Sequence, residues 1–417
     1  MEGDVRAIQG VPMTEPIIQT TTAGSLPRSP ELVAATQALT VAEDGFTLER
    51  TAEYDELAAQ AVKNLVQRQL DAGITIVGDG EYGKAMTAAH DFGAWWSYSF
   101  QRTAGLALPP ADAAPPEPAR SAPGDVRLTS MNDRRDWVEF AEAYGDPTSG
   151  VLLGEPPFWP ITTGDLSYRG EELIGADIAN LGAALDATGQ TTGFLTSLAP
   201  GSAARIGNAH YASDEEHIWA WADVMRHEYR AIVDAGLTVQ LDDPSLAESW
   251  DQINPEPSIA DYRAFLRTRI DALNHAIEGL PSEQVRLHIC WGSWHGPHTT
   301  DLELRHIVDL LLEINAGEYS FEAANVRHEH EWKVWRDVDL PAGTRLVPGV
   351  VSHATNVVEH PELVADRILR FAEIVGPESV IASTDCGLGG RVHPQIAWAK
   401  LRSLGEGAAI ATQRLAG

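Results

Sequence analysis

Val285-Arg286-Leu287-His288-Ile289-Cys290 and Val380-Ile381-Ala382-Ser383-Thr384-Asp385-Cys386-Gly387 are the two stretches whose reading decides the fold. Each begins as a short apolar run of the kind that forms a buried strand, and each breaks off into polar residues and a cysteine. The chain holds two cysteines in all, and both stand at such an end, with His288 two residues before Cys290. Thiolate sulfur and imidazole nitrogen are the ligands that select zinc over magnesium or calcium. In a reducing compartment two cysteines serve as ligands or buried thiols more readily than as a disulfide.

Working outward, similar apolar runs recur at 16–20, 74–77, 192–195, 238–241, 285–288, 319–321, 345–347 and 380–382. Between most of them the apolar residues fall at helical spacing, over 54–70, 217–233, 259–277, 302–314 and 361–375. Several of these stretches end on a stop signal: Ala72-Gly73, Ala235-Gly236, Ala316-Gly317 and Gly376-Pro377. Alternating strand and helix implies an α/β protein with a parallel sheet, and eight units imply a (β/α)8 TIM barrel. We read 1–417 as that single barrel. The interval between its second and third strands is long and contains Pro109-Pro110-Ala111-Asp112-Ala113-Ala114-Pro115-Pro116, so 85–190 is read as an inserted excursion at the barrel mouth.

Composition narrows the class of partner. A formal charge of −30 repels phosphate backbones and anionic membranes, so nucleic acid and membrane are excluded as expectations. Hydrophobic residues at 44 % suffice for a large core without disulfides. The first residues, Met1-Glu2-Gly3-Asp4-Val5-Arg6, lack the apolar segment of a secretory signal, and no window approaches the ~18 apolar residues of a membrane span. A cytoplasmic location is expected. A homo-oligomer is compatible with this composition.

In a parallel barrel the C-terminal ends of the strands converge on one face, where distant residues surround one pocket. Here those ends carry Thr20-Thr21-Thr22-Ala23-Gly24-Ser25-Leu26-Pro27-Arg28, Gly78-Asp79-Gly80-Glu81, Gln240-Leu241-Asp242-Asp243-Pro244, His288-Ile289-Cys290, Glu322, His353 and Asp385-Cys386-Gly387-Leu388. In this order the segments resemble the catalytic domain of the cobalamin-independent methionine synthase family, over most of the chain. The resemblance implies a zinc-bearing barrel whose metal ligands fall on His288, Cys290, Glu322 and Cys386. It also implies that Glu81 and Asp242 hold the amino group of a homocysteine-like acceptor, that Ser25 belongs to the loop binding its carboxylate, and that His353 is the proton donor to the leaving group. Closed structural zinc sites draw on local Cys-x-x-Cys hooks, whereas these ligands come from distant strands, which favours a catalytic ion.

The chain also departs from that family. Where the folate-using enzymes carry a tryptophan after the third strand, this sequence reads Phe194-Leu195-Thr196-Ser197-Leu198, and the duplicated N-terminal barrel of the long enzymes has no room in 417 residues. The stretches 288–298 and 321–332 look like the stand-alone branch that includes epoxyalkane:coenzyme M transferases. The leading expectation is a zinc-dependent S-alkyltransferase moving a methyl group from an alkyl donor to homocysteine or a similar small-molecule thiol. The alternative is epoxide ring-opening by a zinc-bound thiolate such as coenzyme M, which calls for a cation near the mouth: Arg28, Lys84 or Arg391. A uroporphyrinogen-decarboxylase-like enzyme without zinc is the more distant reading.

Overall fold

The computed structural model describes residues 18–86, 93–110, 117–151 and 159–417. Each of the eight apolar runs carries a strand: β1 Gln19–Thr20, β2 Val77–Gly78, β3 Gly193–Leu198, β4 Thr238–Asp242, β5 Val285–His288, β6 Glu318–Phe321, β7 Arg345–Val351 and β8 Ile381–Thr384. They form one curled sheet in the order β1-β8-β7-β6-β5-β4-β3-β2, with every pair parallel. From β2 onward each strand therefore neighbours the next in the chain, and the last neighbours the first, which is the order of a TIM-barrel-like fold. At the remaining edge Ile76 N–H donates to Thr20 C=O at 2.9 Å.

The helices lie where the 3.6-residue period places them, at Ala52–Asp71, Asp214–Asp234, Ile259–Ala276 and Pro361–Val375. Three of them start on a hydroxyl that accepts from the first turn: Thr51 from Tyr54 N–H, Ser213 from Glu216 N–H and Ser258 from Asp261 N–H. The fourth has proline at its first position, where no N–H is needed. The expected helix over 302–314 is instead a 3-10 turn, Leu304–His306, followed by the short helix Val308–Leu311. Its apolar residues are buried on all sides rather than along one stripe, and Arg263 Nη1 donates to His306 C=O, taking a carbonyl that a continuous helix would have used.

Between β2 and β3 the described residues include the helix Ala94–Gln101, the antiparallel pair Thr103–Ala107 with Ile161–Tyr168, two short helices, Arg135–Glu139 and Ala141–Gly145, and the long helix Glu171–Thr188. Most of the Pro/Ala run lies outside the described residues. The flanks are anchored to the sheet's helices: Arg102 is buried between Asp177 Oδ2 at 2.5 Å and Glu228 Oε2 at 2.9 Å. A pair this deep needs both carboxylates to offset the cost of dehydrating the guanidinium.

Strand register positions the site. Side chains two residues apart share a face, so Gln240 and Asp242, Arg286 and His288, and Ser320 and Glu322 project the same way from β4, β5 and the end of β6. His288 pairs in register with Asp242 on one side and Ser320 on the other. One step back, Arg286 Nε donates to Glu318 Oε2 at 2.6 Å and its Nη1 to Gln240 Oε1 at 3.3 Å. This buried polar row backs the one that holds His288.

Candidate metal and thiol site

The strand ends bring three of the sequence-predicted ligands together. A ring nitrogen of His288 and the sulfurs of Cys290 and Cys386 all lie within 4.8 Å of one another. Both cysteines are free thiols. Nδ1 of His288 is engaged by Ser320 Oγ at 2.9 Å, whereas Nε2 is buried with no hydrogen-bond partner among the described residues. That nitrogen faces the Cys386 sulfur, and this donor set, two sulfurs and an imidazole, is that of zinc. Cys386 is held well below the ordinary thiol range by the S–H of Cys290 and, against the effect of burial, by His288. Cys290 is pushed up correspondingly, by Cys386 and by burial.

Glu322 is not brought into that group. Its Oε1 accepts from Trp291 N–H at 2.9 Å and its Oε2 from the Asn325 amide. It clusters with His353 and Asp385 instead, all three buried and with ligand-type atoms within 4.8 Å of one another. Asp385 is fixed there because its Oδ1 accepts from Ala323 and Ala324 N–H, both at 2.8 Å. Gly349 makes the approach feasible, since a Cβ at that position would stand 2.4 Å from Asp385 Cα. Burial presses the His353 imidazole down to about 4, against the pull of Cys386.

Ser25, Glu81, Asp242, His288, Cys290 and Cys386 line one cavity of about 820 Å³, while Glu322 and His353 are absent from its wall. Ser25 is locked to the β8 loop, its carbonyl accepting from Leu388 N–H at 2.9 Å and Gly389 N–H at 3.0 Å. Gly24, at φ +115°, is required just before it, because a Cβ would meet Thr196 Cγ2 at 2.7 Å. Glu81 adopts φ +63°, a conformation rare outside glycine and found where a site demands it.

Lys84 and Thr196 are the partners that sequence reasoning missed for Glu81. Lys84 Nζ lies 3.1 Å from Glu81 Oε1 and 2.5 Å from Thr196 Oγ1, and Thr196 Oγ1 donates to Glu81 Oε1 at 2.7 Å. Burial opposes ionisation of Glu81, but Lys84 and Arg28 prevail and hold the carboxyl below its usual value. The three-residue spacing of Glu81 and Lys84 was the available signal. Asp242 behaves oppositely. Burial raises it to about 7, with Lys84 and His288 offsetting and Glu81 reinforcing the rise, while its Oδ1 accepts from Gln240 Nε2 at 2.9 Å.

Of the three cations considered for an anionic tail, Arg28 is spent on the carbonyls of Leu26, Glu81 and Lys84, and Lys84 is paired with Glu81. Arg391 lines the cavity, its Nε donating to Ser293 Oγ at 2.7 Å. Two other histidines on the loops after β5 and β6 are engaged with carboxylates: His298 and His328 both with Asp301, and His328 also with Glu331. Trp291 packs on His328 with ring centroids 4.0 Å apart and does not line the cavity, whereas Trp294 does.

Comparison with known proteins bears on the family and the fold. The family model of the cobalamin-independent synthase catalytic domain matches residues 159–409. The chain is 23 % identical over 367 residues to the 2-hydroxypropyl-CoM lyase of Xanthobacter autotrophicus, covering 77 % of this chain and 93 % of that protein. It is 27 % identical over 213 residues to a methionine synthase of Thermococcus kodakarensis, covering 50 % of this chain and 54 % of that protein. The solved structure of a B12-independent methionine synthase from Shewanella sp. W3-18-1, in complex with selenomethionine, superposes with a TM-score of 0.66 at 22 % identity, over 96 % of this chain and 99 % of that one. That likeness speaks to the fold alone.

Proposed function

The chain belongs to the cobalamin-independent synthase catalytic-domain family, and from that premise we propose that it is a cytoplasmic zinc-dependent S-alkyltransferase acting on a small thiol. At the level of the family the chemistry is methyl or alkyl transfer to a thiol. The observation that carries the zinc assignment is the clustering of one His288 ring nitrogen and two free thiol sulfurs, drawn from strand ends, within 4.8 Å of one another.

His288, Cys290 and Cys386 would hold the ion, and Glu322 would join only by exchanging its bond to Trp291 or Asn325. Zinc bound by such ligands supplies a substrate thiol with the means to lose its proton at neutral pH. Ser320 holds the His288 ring so that Nε2 faces the sulfurs. Asp242, titrating near neutrality and lining the cavity, would take up the thiol proton at Oδ2, since Oδ1 is bound to Gln240. Ser25 would orient the acceptor's polar tail. We keep His353 as the candidate proton donor, a role that requires it to reach the cavity and first to gain a proton, since burial holds its ring unprotonated at neutral pH.

In the methyl-transfer reading Glu81 and Asp242 hold the ammonium of homocysteine. The Glu81–Lys84 pair favours the second reading, in which the acceptor has no ammonium and carries an anionic tail toward Arg391, as in epoxide opening by a coenzyme M-like thiol. The deciding experiment loads the protein with zinc and follows the zinc-edge absorption on adding homocysteine, glutathione or coenzyme M. The true thiol adds sulfur to the ion's ligands. A protein that takes up no zinc, or whose zinc gains sulfur from none of the three, refutes the proposal.

A further inference from the structure

The cavity is much larger than a small thiol needs. Pockets of its size ordinarily bury a drug-sized molecule. Its wall includes the aromatic residues Phe46, Trp95, Trp96, Trp137, Trp159 and Trp294, together with Met86 and Met131. Trp96 and Trp159 pack at 4.5 Å between centroids, and Trp137 meets Trp294 edge-on at 6.2 Å. Rings braced against one another in this way are stiff, and a stiff aromatic wall favours a flat apolar guest.

Among the described residues, the guanidiniums on this wall each have a carboxylate beside them. Arg134, fully buried and 4.5 Å above the Trp294 ring, donates to Glu248 and has Nε 3.6 Å from Asp251 Oδ2. Arg205 Nη1 donates to Glu248 Oε2 at 3.0 Å. Two guanidiniums thus face two carboxylates. The third cation lining the cavity, Arg391, follows Cys386 on the β8 loop and belongs to the thiol side.

We propose that the electrophilic co-substrate is uncharged and carries an aryl-sized apolar group, which seats against the Trp137–Trp294 wall while its reactive carbon faces the thiol site. A methyl or propyl substituent would leave most of that wall uncovered. Among the described residues of this wall, a polyanionic donor would find no guanidinium without a carboxylate already beside it.

The inference rests on the S-alkylation reading for calling this guest the electrophile, but its test reads binding alone. The zinc-loaded full chain is titrated calorimetrically with 2-naphthylmethanol, propan-1-ol and 6-(hydroxymethyl)-2-naphthoate. The expected result is 2-naphthylmethanol binding more than about tenfold tighter than propan-1-ol, with no gain from the added carboxylate. Trp294→Ala and, as a variant that fills the cavity without disturbing Arg134, Met86→Trp should each weaken naphthyl binding about tenfold with zinc content unchanged. Equal affinity for the two alcohols, tighter binding of the carboxylate, or indifference to Met86→Trp overturns the proposal. Zinc uptake without ring binding refutes this inference alone, and ring binding without zinc refutes the metal assignment alone.

Discussion

Ser320 Oγ sits 2.9 Å from His288 Nδ1, and the parallel register of β5 and β6 puts it there. A hydroxyl at this point fixes which ring nitrogen is left for an ion, and partners of this kind typically contribute 10- to 100-fold to metal affinity. Ser320→Ala should therefore weaken zinc binding by about that factor with the circular dichroism spectrum unchanged. Competition against a chelating dye measures it, and an unaltered affinity would mean that some other group orients the ring.

The two sulfurs come from strands that are distant in sequence, so each can be removed without cutting a local loop. Cys290→Ala and Cys386→Ala should each lose both bound metal and activity while thermal unfolding stays cooperative. Metal analysis of the purified variants decides the matter, and zinc retained at full occupancy in both would dismiss these residues as ligands.

The strands were legible because a barrel strand buried on both faces must be a near-continuous apolar run, and the break into His288, Cys290 or Cys386 marks the end that faces the pocket. Helix 361–375 was legible to the residue, with proline opening it and Gly376 closing it. The partners of the site were harder to see. Arg134 and Glu248 stand 114 residues apart, and a pair closed only by tertiary folding leaves no periodic trace. Glu322 lies at the expected strand end, yet Trp291 and Asn325 take its oxygens, an outcome decided by loop geometry that no residue pattern encodes.

Lys84 offers a way to separate the two substrate readings. Lys84→Met leaves Glu81 ionisable and buried with half its neutralising charge removed, which should cost about 3 to 5 kcal/mol of stability. It also opens the Glu81–Thr196 subsite to an ammonium from outside. Relative to the parent, KM for homocysteine should fall and KM for a thiol without an amino group should not. If Lys84 instead keeps Glu81 charged for a homocysteine ammonium, KM for homocysteine rises, and that outcome would select methyl transfer to an amino-acid thiol.

Acid sensitivity should centre on Glu248. Burial works against its ionisation, but Arg205 and Arg134 hold its carboxyl at about 2, below the ordinary value of 4.5. A group depressed in the folded state stabilises fully above its unfolded value and loses that contribution as pH falls toward the folded one. Stability carried by Glu248 is thus intact above about 4.5 and drains between there and about 2. Denaturant unfolding followed across that window should show the loss in the parent protein. In Glu248→Gln the protein should be less stable at neutral pH by a few kcal/mol, because two buried guanidiniums lose their shared anion, and the acid-dependent loss over the window should shrink. A variant that keeps the parent's full slope there would place the acid-labile group elsewhere, with Asp301, held low beside His298 and His328 despite burial, as the next to replace.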